Sequence, residues 1–161
     1  MRRMKFGAAA AALLVAAACS VGGYQGNGYD NYFSAFRTFD SQKWDYREPL
    51  TAHVDTLRDS VCRRGDLILT LRHTNGYEYA NIWLELTSDR DSTLCDTFDI
   101  VLADSYGRWL GRGSGPSHQI VDTLRRGMTL HRGETLTLRH VMRADTVAGI
   151  EQVGLSYCPE R

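Results

Sequence analysis

The chain has 161 residues, with 19 basic side chains, 19 acidic ones and five histidines. Three of the basic residues and none of the acids fall in the first 18 positions, which leaves 16 basic against 19 acidic beyond them. That mildly acidic remainder lacks the basic footprint a nucleic-acid partner requires, and its length fits one domain rather than two.

Met1-Arg-Arg-Met-Lys5 is basic and leads into an unbroken small and apolar run, Phe6 to Ala18. A basic start, a short apolar run and small residues before a cleavage point are the layout of a secretory signal. The run is 13 residues long, well short of the roughly 20 needed to cross a bilayer core, which argues against a retained membrane helix. Cys19 follows Ala16-Ala17-Ala18, a stretch that resembles a bacterial lipobox with alanine where leucine is usual at the first position. On this reading residues 1–18 are a lipoprotein signal peptide and Cys19 carries the lipid. Simple secretion, with Cys19 a stray thiol, is the competing reading. Two acyl chains already give lasting attachment, where one is marginal.

Residues 19–47 read as the lipidated cysteine and a tether, because Ser20 to Tyr29 is polar and glycine-rich, a composition that makes flexible linkers. The tether ends in an aromatic patch, Tyr29, Tyr32, Phe33, Phe36, Phe39, Trp44 and Tyr46. This patch is too apolar to be linker throughout, so it is expected to drape across the domain with Trp44 packed. A domain over residues 48–161 then opens near Pro49.

From there the pattern has period two. Leu67, Leu69 and Leu71 alternate with Ile68, Thr70 and Arg72; Ile82, Leu84 and Leu86 share a face opposite Trp83, Glu85 and Thr87. Leu94, Asp96, Phe98, Ile100 and Leu102 form a third alternating set, and Leu136, Leu138, His140 and Met142 a fourth. Such alternation marks half-buried strands. Glycine-bearing turns separate the runs, at Gly65, Gly76, Gly107, Gly111 to Pro116, Gly127 and Gly133. Strands of similar length between such turns predict an all-β fold, a single antiparallel β-sandwich, jelly-roll-like, of about 7–8 strands. Residues 141–152 could hold one short turn, since Val141 to Asp145 lacks strong β character.

The sequence offers little chemistry. No two of His53, His73, His118, His131 and His140 lie three or four residues apart and no H-E-x-x-H occurs, so no metal site is expected. His53 and His140 fall within strand patterns and read as hydrogen-bonded structural histidines. Beyond Cys19 the cysteines are Cys62, Cys95 and Cys158, with no C-x-x-C; one bridge or none is expected. Gly111-Arg-Gly-Ser-Gly115 lacks the strand, helix and lysine of a phosphate loop, and Ser114 lacks the spacing of a nucleophile elbow. No catalytic residue, cofactor or small-molecule substrate is expected.

One segment stands out. Residues 103–113 combine Asp104, Arg108, Trp109 and Arg112 with three glycines. They are a candidate binding loop, with Trp109 as aromatic anchor and Arg108 or Arg112 as polar contacts. The plainer alternative, which we favour, is a glycine-shaped crossover whose Trp109 plugs the end of the sandwich.

Several blocks carry a family resemblance: Asn81-Ile-Trp-Leu84, Asp96-Thr-Phe98, Leu102-Ala-Asp-Ser-Tyr-Gly-Arg-Trp-Leu-Gly-Arg-Gly113, Gly133 to Arg143, and Ala148-Gly-Ile-Glu-Gln-Val-Gly-Leu155. In this order they resemble the gliding motility lipoprotein GldH of Bacteroidetes, over about residues 44–157. That family has a similar L-A-D-x-x-G-x-W-L-G-x-G block and a lipidated N-terminal cysteine, matched here by Cys19. The resemblance implies a membrane-anchored component needed for gliding, alongside other gliding or type IX secretion envelope proteins. It supplies no catalytic residue, and homologues occur in bacteria that do not glide.

Two functions remain in play. The first is a non-catalytic lipoprotein that contacts other envelope proteins. The second is a glycan- or peptidoglycan-binding module using Trp83, Trp109, Tyr77 and Tyr79, which requires Trp109 and a tyrosine on one concave polar surface. An enzyme would need a deep pocket gathering Asp104, His118 and Arg108. Surface-exported lipoproteins of the phylum this chain resembles often carry acids just after the cysteine; Ser20-Val-Gly-Gly23 has none, and the domain is therefore expected to face the periplasm.

Overall fold

The computed structural model describes residues 33–55 and 61–160, except the side chains of residues 61–63 and 114. Cys19, the signal and residues 19–32 of the tether lie outside these described residues, as does the Cys62 side chain. Eleven strands follow in order: β1 (Phe33–Thr38), β2 (Lys43–Asp45), β3 (Leu50–His53), β4 (Val61–Thr74), β5 (Asn81–Ser88), β6 (Cys95–Val101), β7 (Arg112–Ser114), β8 (Ser117–His131), β9 (Thr135–His140), β10 (Thr146–Ala148) and β11 (Ile150–Pro159).

One sheet has the order β1-β11-β4-β8-β7, a second β3-β9-β5-β6, and β10 pairs with β2 in a small ribbon. Every pairing is antiparallel. Without the three-residue strands β2, β7 and β10, eight strands remain. They pair as β1-β11-β4-β8 and β3-β9-β5-β6, and the chain changes sheet at every connection between them except β5 to β6. Two four-stranded sheets wound this way make the double Greek key of a jelly roll. The fold is the sandwich that the alternation predicts. The additional three-residue strands are too short to show a period.

The alternating sets point inward as their spacing requires. Leu67, Leu69 and Leu71 of β4 face Ile82, Leu84 and Leu86 of β5 and Leu136 and Leu138 of β9 within one core, all fully buried. Val153, Leu155 and Tyr157 of β11 complete it. Each large apolar side chain so buried contributes about 1.5–3 kcal/mol. The β4–β8 ladder shifts register between Val61 and Ile68, and β-bulges of this kind bend long strands.

Part of the span expected to be tether belongs to this body. Phe33 to Thr38 pairs along the whole of β1 with Tyr157 to Gln152 of β11, so the sandwich takes in residues from Phe33 onward, ahead of the expected boundary at residue 48. The aromatic patch explains it: Phe33 and Phe39 are in the core, and an edge strand with that much apolar area is more stable packed than hydrated. Trp44 is packed as expected, with 0% exposure. Its ring stacks on Phe39 at 5.4 Å, and its indole N–H donates to the Glu48 carbonyl at 2.9 Å.

His140 is fully buried, and its Nε2 lies 3.0 Å from the Trp44 carbonyl. His53 shares a contact of 3.2 Å with the Thr135 hydroxyl. Both are structural, as their strand positions suggest. Residues 143–145 form a bend between β9 and β10. Cys95 is an exposed free thiol at the start of β6.

Candidate functional site

The β6-to-β7 connection crosses from the four-stranded sheet to the five-stranded one at the end of the sandwich where β4 finishes and β8 and β11 begin. It opens by pinning itself to the preceding turn: the amides of Leu102 and Ala103 both donate to the Ala80 carbonyl, at 2.7 and 2.9 Å. Ala103 then bridges to Trp109, the Asp104 amide donates to the Arg108 carbonyl at 2.9 Å, and the Gly107 amide returns to the Asp104 carbonyl at 3.0 Å. This is a tight hairpin whose left-handed position falls on Gly107, with φ of 77°. A side chain there would be strained.

Asp104 holds the hairpin from inside. Its carboxylate accepts from the amides of Tyr106 and Arg108, each at 2.9 Å, and pairs with Arg108 Nε at 2.8 Å. The Arg108 amide leads the contacts that keep this carboxyl below the usual carboxylate range, so it stays ionised. The Arg108 guanidinium also lies 5.4 Å from the centre of the Tyr106 ring. Tyr106 itself is 83% exposed, the most exposed large apolar residue described. An aromatic ring and an arginine side by side on an exposed turn are the residue types that dominate protein interfaces.

Trp109 faces the other way. It is half-buried against the core, with its ring edge-on to His73 at 4.6 Å and tilted to His118 at 6.1 Å. His73, at the end of β4, is fully buried and stacks on His118 at 5.5 Å. Its Nδ1 lies 3.2 Å from the Thr74 carbonyl, and its Nε2 is buried with no partner. Burial, first among the causes, holds the His73 imidazole below its ordinary value, and it stays neutral.

The four candidate residues thus separate by role. Asp104 bonds the amides of the loop, Trp109 packs half-buried against the core, and Arg108 and Arg112 are exposed. Tyr106, at the tip, was not among them. The signal for it is the Asp104…Gly107 spacing, which marks a turn and places the residue before the glycine at its apex.

The geometry required for sugar stacking is not met. Tyr77 is buried, donates its hydroxyl to the Asn81 carbonyl at 2.9 Å, and is held well above the ordinary tyrosine range, first by burial. Tyr79 and Trp83 are exposed, but Trp109 is turned into the core. Asp104 and Arg108 bond each other while His118 Nε2 lies 2.8 Å from the Asn75 side-chain oxygen, so these three do not converge. A hollow of about 440 Å³ lies near the opposite end, lined among others by Arg90, Leu94, Arg125 and Glu134. None of the candidate residues lines it.

Among solved structures, Eiger TNF from S. frugiperda is similar with a TM-score of 0.43 and 11% identity, covering 81% of this chain and 95% of that one. Dimeric latent PorU from Porphyromonas gingivalis is similar with a TM-score of 0.32 and 9% identity, covering 84% of this chain and 14% of that one. At such scores neither bears on function. No curated protein matches the sequence. The family model described as GldH lipoprotein matches residues 31–156, which takes in the jelly roll from β1 through most of β11 together with the whole 103–113 loop. The chain belongs to the GldH lipoprotein family.

Proposed function

We propose that this protein is a non-catalytic component of the bacterial envelope, lipid-anchored through Cys19 and facing the periplasm, that acts by contacting other envelope proteins in support of gliding motility and the associated type IX secretion machinery. The observation that carries the contact reading is the braced hairpin of residues 103–108, which holds Tyr106 out at 83% exposure with Arg108 against its ring. A turn whose backbone is set in advance loses less entropy on binding, and aromatic and arginine anchors carry most of an interface's energy. Family membership supports the lipoprotein part of the reading, and the signal-like start supports acylation at Cys19.

The test places a photo-crosslinking amino acid at Tyr106 in the native envelope. A discrete adduct with another envelope protein, lost when Arg108 is replaced by Ala, is the expected result. Absence of any adduct, together with normal secretion and motility in a Tyr106→Ala, Arg108→Ala strain, rules out the loop as the contact. Mass spectrometry of the mature protein checks the anchor: an acylated Cys19 is expected, and Cys19→Ala should release the protein from the membrane fraction.

A further inference from the structure

His73 is an unusual neighbour for a loop plug. Its ring is fully buried, one nitrogen is orphaned, and it is stacked between the Trp109 edge and His118. Such a site tolerates a neutral imidazole and penalises an imidazolium, because a charge there lies in low dielectric beside a second imidazole. The Thr74 carbonyl at Nδ1 favours a proton, but the other groups around the ring offer little compensation. From β8 comes His118, whose charged form would repel. From β11 comes Glu151, whose field favours a proton on His73 but whose Oε2 accepts the Ser117 hydroxyl at 2.6 Å. From the turn after β4 comes Tyr77, edge-tilted at 5.9 Å, with its hydroxyl committed to Asn81. On the loop itself Asp104 and Arg108 pair with each other.

Relief must therefore come from water, and the neighbours differ in how readily they can admit it. β8 and β11 are locked in ladders on either side of β4. Trp109 is half-buried and sits on a connection held by a handful of backbone bonds. It is the neighbour that moves at least cost.

We propose that His73 is an acid-sensitive latch: a proton on its ring expels Trp109 and frees the 103–113 loop from the end of the sandwich, while the jelly roll stays folded. Neutral His73 keeps the loop seated, with Tyr106 presented in one geometry; acidification converts it to a mobile segment. The consequence for partner binding rests on the contact reading above, whereas the latch itself does not.

Amide hydrogen exchange on the full chain, with protection corrected for intrinsic rates, separates the two. Lowering the pH from about 7.5 to about 5.5, across the imidazole range, should cut protection at the Asp104, Gly107 and Leu110 amides by up to about tenfold. Protection at Leu69 and Leu138 in the core strands should hold. His73→Gln should abolish this pH response. Should that variant fail to fold, His73 ring resonances in the unmodified protein give the same answer, since their titration midpoint should coincide with loop release. Loop protection that persists to pH 5.5, that fails only together with Leu69, or that falls equally in His73→Gln overturns the latch. An intact latch with no Tyr106 adduct at pH 7.5, and normal secretion and motility in the Tyr106→Ala, Arg108→Ala strain, would instead leave it standing and remove the contact reading.

Discussion

Among the described residues, two buried histidines each meet a tryptophan edge-on, alike in chemistry and different in consequence. His140 meets Trp44 edge-on at 5.2 Å, and His73 meets Trp109 edge-on at 4.6 Å. Both histidines have 0% exposure, both keep one ring nitrogen buried without a partner, and burial holds both below the ordinary imidazole value. The tryptophans are what differ. Trp44 is fully enclosed, stacked on Phe39 and fixed by its indole N–H to Glu48, and its own carbonyl meets His140. Trp109 is half-buried and belongs to a loop whose far side is open to solvent. The first pair ties the N-terminal segment to the sandwich. The second couples a buried ring to an exposed hairpin. An identical contact is thus structural or responsive according to how much surrounding structure must move to break it.

The sharpest way to break the comparison is truncation. Trp44→Ala should cost about 3–5 kcal/mol of unfolding free energy, the range for large aromatic deletions in a core. Trp109→Ala should cost clearly less, because part of that ring is already hydrated. Urea denaturation of both variants measures the difference, and equal losses would show that Trp109 is as integral as Trp44.

Acidification should have an intermediate effect on global stability. The unfolded chain binds protons on histidine near pH 6.5, whereas the folded state resists protonating His73 and His140. Stability should therefore be complete above about pH 6.5, decline as pH falls through that value, and level off below the lowered folded values. Replacing His140 by Gln should flatten the slope of denaturation free energy against pH, whatever it does to stability at neutral pH. An unchanged slope would mean that His140 is not protonated on unfolding in this window.

The smallest expected effect is local. Asp104→Ala removes the acceptor of two loop amides and the partner of Arg108. Exchange at Tyr106 and Arg108 should accelerate while the melting temperature stays close to that of the unmodified protein. A large drop in melting temperature would show that the hairpin supports the fold rather than merely projecting from it.

Much of the sandwich was legible in the sequence because its inner positions obey period two without interruption, as in Leu67-Leu69-Leu71 and Ile82-Leu84-Leu86. β1 was hidden because its apolar residues do not alternate: Phe33 points into the core, but Phe36 lies outward over Gly154, where the absence of a side chain leaves room for its ring. The 102–113 block was legible as a unit through its composition and family resemblance. Its division of labour was not, because the partners of Trp109 are His73 and His118, brought to it only by the closing of the two sheets. The roles of Asp104 and Tyr106 are local and follow from turn chemistry, so they were within reach.

The pairing of β1 fixes a polarity. Phe33 enters the five-stranded sheet beside Tyr157, near the finish of β11, whereas the 103–113 hairpin sits where β11 starts, near Ile150. Seven residue steps of extended strand separate those poles, on the order of 20–25 Å. Under the anchor proposed at Cys19, the hairpin therefore lies at the pole of the body away from the one where the chain enters it.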